Sequence, residues 1–127
     1  MLTPDGAARL HGHKGPFLAL GYRAGEYAYK VLKPKNIKDL RCRVYLPLRT
    51  PYTCILDGIQ ASSGCTVGKR TLEFYESKDI RLVFETDEKT LVLYPKTIPL
   101  GYQDLERGFY DMLSKSFEEI FEVKIVG

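Results

Sequence analysis

Thr71-Leu72-Glu73-Phe74-Tyr75-Glu76-Ser77-Lys78-Asp79-Ile80-Arg81-Leu82-Val83-Phe84-Glu85-Thr86-Asp87-Glu88-Lys89-Thr90-Leu91-Val92-Leu93-Tyr94 holds three short alternating runs, 71–76, 80–85 and 90–94. Two polar stretches, Ser77-Lys78-Asp79 and Thr86-Asp87-Glu88-Lys89, separate them. A period of two places alternate side chains on opposite faces of a strand, so the spacing predicts three strands joined as an antiparallel meander. Upstream, Arg41 to Leu46 alternates in the same way, and Pro47 and Pro51 punctuate the loop after it. Between that strand and the meander, Thr53 suits an N-cap, Ile55, Leu56 and Ile59 suit a buried face, and Gly64 suits a C-terminal stop, which predicts a short helix. Further upstream, Phe17, Leu20, Gly21, Ala24, Ala28, Val31 and Leu32 follow the helical period over Pro16 to Leu32, with Arg23, Glu26 and Lys30 opposite. The small residues Gly21, Ala24, Gly25 and Ala28 would admit a close backbone, from a packed sheet or a dimer mate. Downstream, Tyr102, Leu105, Phe109, Met112, Leu113 and Phe117 predict a C-terminal helix interrupted by Gly108, and Phe121 to Val126 a closing strand. The order α-β-α-β-β-β-α(-β) is that of an α+β domain, with helices packed on one face of a mixed sheet.

At 127 residues the chain reads as a single domain, 1–127. Its 44% hydrophobic and 28% charged residues exclude a disordered or collagen-like polymer. The longest apolar stretches, Thr90 to Tyr94 and Gly15 to Gly21, fall far below the roughly 18 residues needed to cross a bilayer, so no membrane association is expected. Met1-Leu2-Thr3-Pro4-Asp5-Gly6 lacks a basic cluster followed by an apolar run, which predicts neither a secretory signal nor a transit peptide and a cytoplasmic location. Residues 1–70 carry 12 Lys/Arg against 4 Asp/Glu, and residues 71–127 carry 7 against 12. The basic run Lys30, Lys33, Lys35, Lys38, Arg41 and Arg43 could draw anions, yet no nucleic-acid motif accompanies it, so we read it as a solvated helix end and strand face. Opposite-signed halves could also complement one another across a symmetric dimer.

Three cysteines, Cys42, Cys54 and Cys65, are an odd number without a C-x-x-C pair, which suggests neither a disulfide framework nor a zinc ribbon. Cys42 alternates with Val44 and Leu46 and is expected to be a buried small hydrophobe. Both histidines of the chain lie in His11-Gly12-His13, just before the helix at Pro16. Imidazoles ligate metals or carry protons, and a glycine between them would let both rings converge; exposed loop histidines, or an anion site at the helix N-terminus, fit the spacing equally well. A second segment, Cys54 and Asp57-Gly58-Ile59-Gln60 followed by Gly64-Cys65-Thr66-Val67-Gly68-Lys69, groups two thiols, a carboxylate and an ammonium. Only three residues separate Gly64 from Gly68, Arg70 replaces Ser/Thr and a strand follows, so this is no Walker A loop. Two His and two Cys form a set suited to zinc and acceptable to iron or nickel. The enzymatic alternative is a Cys-His pair, with Cys65 or Cys54 as nucleophile and a histidine such as His13 as base.

At these two segments the chain resembles the FmdE-like family, a component domain of formylmethanofuran dehydrogenase that is encoded with the tungsten or molybdenum enzyme of methanogens and found more widely in archaea and anaerobic bacteria. Leu10-His11-Gly12-His13, Pro16 and Leu18-Ala19-Leu20-Gly21-Tyr22-Arg23-Ala24-Gly25 carry the first part. Cys54, Asp57-Gly58-Ile59-Gln60 and Gly64-Cys65-Thr66-Val67-Gly68-Lys69 look like the family's C-x-x-D-A-I-Q and G-C-T-x-G-K signature. The resemblance implies a metal-binding accessory or sensor domain, often a homodimer, with a divalent ion, zinc before iron or nickel. By position, His11, His13, Cys54 and Cys65 become candidate ligands, and Asp57 and Lys69 candidate groups behind the ligands or against a substrate. Two departures stand out: Gly15 occupies the cysteine position of H-G-H-x-C-P-G, and no C-terminal C-x-x-C ribbon is present. The dehydrogenase chemistry itself belongs to other polypeptides of that enzyme. A small metal- or thiol-dependent enzyme acting on an anionic substrate, drawn by Lys69 and the basic residues nearby, is the alternative, and a basic interaction module that docks a protein partner is the third.

Overall fold

Alternation in Arg41–Leu46 is reproduced as burial: Cys42, Val44 and Leu46 are enclosed, while Arg41, Arg43 and Tyr45 face outward. A computed structural model of the chain describes residues 1–127. In chain order the elements are α1 (Pro4–His11), α2 (Pro16–Leu32), β1 (Arg41–Leu46), α3 (Cys54–Ser63), β2 (Leu72–Glu76), β3 (Arg81–Glu85), β4 (Thr90–Pro95), α4 (Leu105–Ser114), α5 (Phe117–Ile120) and β5 (Phe121–Val126). No helix is long and apolar enough to cross a membrane. The sheet runs β2-β1-β3-β4-β5, with β1 and β2 parallel and every other pair antiparallel. The α+β architecture with a mixed sheet is thus as the element order implied.

The meander reading of 71–94 is corrected in one respect. β2 does not pair with β3, because β1 lies between them. The strand β2 follows β1 through the crossover helix α3, and parallel strands require such a crossover. Ser77–Ile80 then carries the chain past the end of β1, where the Ser77 amide donates to the Leu46 carbonyl (3.0 Å). The meander is real from β3 through β4 to β5.

One face of the sheet supplies Cys42, Val44, Leu82, Phe84, Leu91 and Leu93 to the core, and α2, α3 and α4 cover it with Leu18, Leu20, Ile55, Ile59 and Phe109. The opposite face is polar and paired: Arg43 donates to Glu85 (2.9 Å), and the Arg81 guanidinium sits 4.2 Å from the centre of the Tyr45 ring. The small-residue stripe on α2 is used inside the chain. A Cβ at Gly21 would run into the Ile55 carbonyl oxygen, and one at Gly58 into the Leu18 carbonyl oxygen, so the two glycines let α2 and α3 cross backbone to backbone. That contact leaves no stripe for a dimer mate.

The C-terminal helix also differs from its sequence reading. It starts after Asp104, whose side chain accepts from the Arg107 amide (3.1 Å), and runs unbroken through Gly108. Gly108 is needed for proximity, since a Cβ there would stand 2.8 Å from the Tyr102 ring. Phe117 opens the separate α5, held by a capping box between Ser116 and Glu119. The first helix, α1, lies outside the elements that the hydrophobic pattern predicts. Thr3 accepts from the Gly6 amide (3.0 Å), Pro4 occupies the first turn and Gly12 ends the helix at φ 95°, which together form a start and stop signature.

Candidate functional site

The tripeptide His11-Gly12-His13 is a helix end and a reversal. His11 is the last residue of α1, Gly12 adopts the left-handed conformation that stops it, and His13 leads into α2, which begins after Gly15. His11 is thereby turned toward α3, where its Nδ1 lies 2.6 Å from Asp57 Oδ2. A carboxylate only accepts, so Nδ1–H is the donor, and in the neutral ring the lone pair of Nε2 is left for another partner. Gln60, one turn further along α3, donates to the other Asp57 oxygen (3.3 Å) and helps hold the carboxylate.

His11, His13 and Cys54 line one cavity of about 190 Å³. Cys54 reaches it as the first residue of α3, directly after the loop that carries Thr50 and Pro51. Burial pushes the Cys54 thiol up, and the negative charge of Asp57 one turn away adds to this, so the thiol keeps its proton at neutral pH. Gly15 also borders the cavity, and a Cβ at this position would stand 3.3 Å from His13 Cε1. A side chain placed at residue 15 would therefore lie against the His13 ring.

The other sequence candidates lie elsewhere. Cys65 is wholly enclosed in the core, where its thiol donates to the Leu40 carbonyl (3.4 Å) and burial pushes its pKa up. It does not border the cavity. Lys69 is turned back on its own loop: its Nζ donates to the Gly64 carbonyl (2.5 Å) and to Thr66 Oγ1 (3.1 Å). Thr66 and Thr71 close the same loop, the Thr66 amide donating to Thr71 Oγ1 (3.0 Å). The Gly64 to Lys69 segment thus acts here as a self-bonded connection from α3 to β2. Cys42 is buried, and its thiol is pushed well up by burial. As the side chains stand, no three of the His, Cys, Asp and Glu residues are gathered to hold an ion.

Residues 10–122 match the model of a protein family described as FmdE, Molybdenum formylmethanofuran dehydrogenase operon. The chain belongs to the FmdE family. The matched span opens at Leu10, just before the paired histidines, and runs through all of α2 to β4 and into β5. No curated protein matches the chain. The matched span includes His11, His13, Cys54 and Asp57. Sequence reasoning missed the segment before α4: Pro99, Leu100, Gly101 and Tyr102 form a wall of the same cavity. Only the irregular composition of that segment, with Pro99 and Gly101 close together, marks it as a loop, and nothing in it signals a binding wall.

Proposed function

We propose that this FmdE domain is a metal-binding accessory or sensor module in which His11, His13 and Cys54 take one divalent ion. The observation that carries the reading is the His11–Asp57 bond of 2.6 Å at the edge of a cavity shared with His13 and Cys54. A carboxylate behind an imidazole fixes its tautomer and raises the basicity of its free nitrogen, the usual arrangement behind histidine ligands. Two imidazoles and one thiolate suit zinc, and iron or nickel by chemistry. The donor types fit, while their side chains must rotate to meet at one point. Cys65 lies outside this donor set, and Lys69 does not reach it.

When bound, the ion would supply Lewis acidity inside the cavity. The residues of the chain have separate tasks. Asp57 holds the proton on His11 Nδ1 and leaves Nε2 free. Cys54 must release its proton on loading, and because its thiol is held protonated, uptake weakens as pH falls. An enzyme acting on an anionic substrate receives less support, because no lysine or arginine borders the cavity. The reading includes a homodimer and leaves room for a further protein partner. Met1, Leu2 and Leu10 are exposed and line one hollow of about 510 Å³ that reaches Asp57 and Gln60, an apolar surface suited to a second copy.

Cobalt(II) titration tests the ligand set directly. The wild type is expected to develop a thiolate-to-cobalt absorption from Cys54 that grows with pH and is absent from Cys54→Ser. Gly15→Cys, whose new side chain would lie beside His13, is expected to strengthen that band and to tighten binding by tenfold or more. A spectrum unchanged by Cys54→Ser would remove the thiol from the site.

A further inference from the structure

Apart from its histidines, the walls of the cavity are predominantly apolar. Phe17 and Leu18 line it from the first turn of α2, together with Pro51, Leu100 and Leu105. Phe17 and Leu18 are themselves buried. His11, His13 and Cys54 are among its lining residues, and Nε2 is the ring nitrogen of His11 that the bond to Asp57 leaves over. Lysine and arginine are absent from the lining. The Asp57 carboxylate behind His11 makes the cavity still less welcoming to a negative charge. A larger hollow of about 410 Å³ nearby carries Arg49, Glu76, Lys78 and Asp79 among its lining residues, so it differs from the histidine cavity in its charge.

We propose that the histidine cavity binds a small, uncharged, mainly apolar molecule carrying a hydroxyl group, which donates to His11 Nε2 while its body rests on Phe17, Leu18, Leu100 and Leu105. The size supports this. An apolar cavity of about 150 Å³ accommodates a benzene ring, so one of about 190 Å³ takes a phenol or a branched short-chain alcohol and little more. The proposal rests on the same site as the metal reading and names its ligand class. With an ion bound, the hydroxyl would meet the ion's end of the cavity in place of bare Nε2. Leu100, in the loop before α4, lines the cavity and is more than half exposed.

The test uses 4-fluorophenol and its anionic counterpart 4-fluorobenzoate as probes, followed by fluorine NMR, on chelator-dialysed and zinc-loaded protein. 4-Fluorophenol is expected to bind the dialysed protein saturably, and 4-fluorobenzoate at least tenfold more weakly. The double variant Leu100→Asp/Leu105→Asp changes two exposed positions, so the fold is retained, and it is expected to weaken 4-fluorophenol by tenfold or more. His11→Ala is expected to weaken the phenol several-fold. Absence of saturable phenol binding, equal binding of benzoate, or indifference to Leu100→Asp/Leu105→Asp would each overturn the proposal. Phenol binding that persists in a protein taking up no zinc would leave the ligand cavity standing and remove the metal reading.

Discussion

Gly58→Ala is expected to lower the stability of the domain by about 2 kcal/mol, with a fall in Tm of roughly 8 °C. The new methyl group meets the backbone carbonyl of Leu18, which cannot rotate aside as a side chain would, so α2 and α3 must separate. Overpacking of this kind costs about 3 kcal/mol at the upper end of its usual range, and the better helix propensity of alanine returns about 1 kcal/mol. Gly68→Ala is the control, since a Cβ there meets nothing within 4 Å and its effect should stay within about 0.5 kcal/mol. Thermal unfolding by circular dichroism separates the two. A Gly58→Ala protein as stable as the wild type would mean that the helices do not cross at backbone distance.

The second large effect concerns the carboxylate behind the histidine. Asp57→Ala is expected to reduce zinc affinity by about 10- to 100-fold, because His11 loses the partner that fixes its tautomer and orientation. Asp57→Asn is expected to fall between the two: its amide can still accept from Nδ1–H, but without the charge that raises the basicity of the ring. Competition against a chromophoric chelator at fixed pH reads the difference. A wild-type affinity in Asp57→Ala would show that the carboxylate serves only to pin α1 to α3.

Periodicity makes most of the fold legible. Helix α2 and strands β1 and β5 have the limits that the hydrophobic pattern indicates, because apolar residues recur at their inward positions and Pro or Gly marks most of their ends. The partner of β2 is not legible. Four residues, Ser77 to Ile80, serve equally as a hairpin turn or as a step across one strand end, and only the tertiary placement of β1 decides between them. Gly108 misleads for a related reason: a helical glycine signals either a break or a close neighbour, and the neighbour, Tyr102, is visible only in space. At the site, residue types point to His11, His13 and Cys54 but also to Cys65, since sequence spacing does not reveal that Cys65 turns into the core while Cys54 faces the cavity. Asp57 stands out through its motif, and its bond to His11 across 46 positions of sequence depends on how α1 docks against α3.

The most direct test of the metal reading is the ion content of untagged protein purified without chelator, measured by plasma mass spectrometry beside His11→Ala/His13→Ala. The account predicts about one zinc, iron or nickel ion per chain in the wild type and background in the variant. Background levels in both proteins after reconstitution with each of the three ions, or equal loading of both, would contradict it.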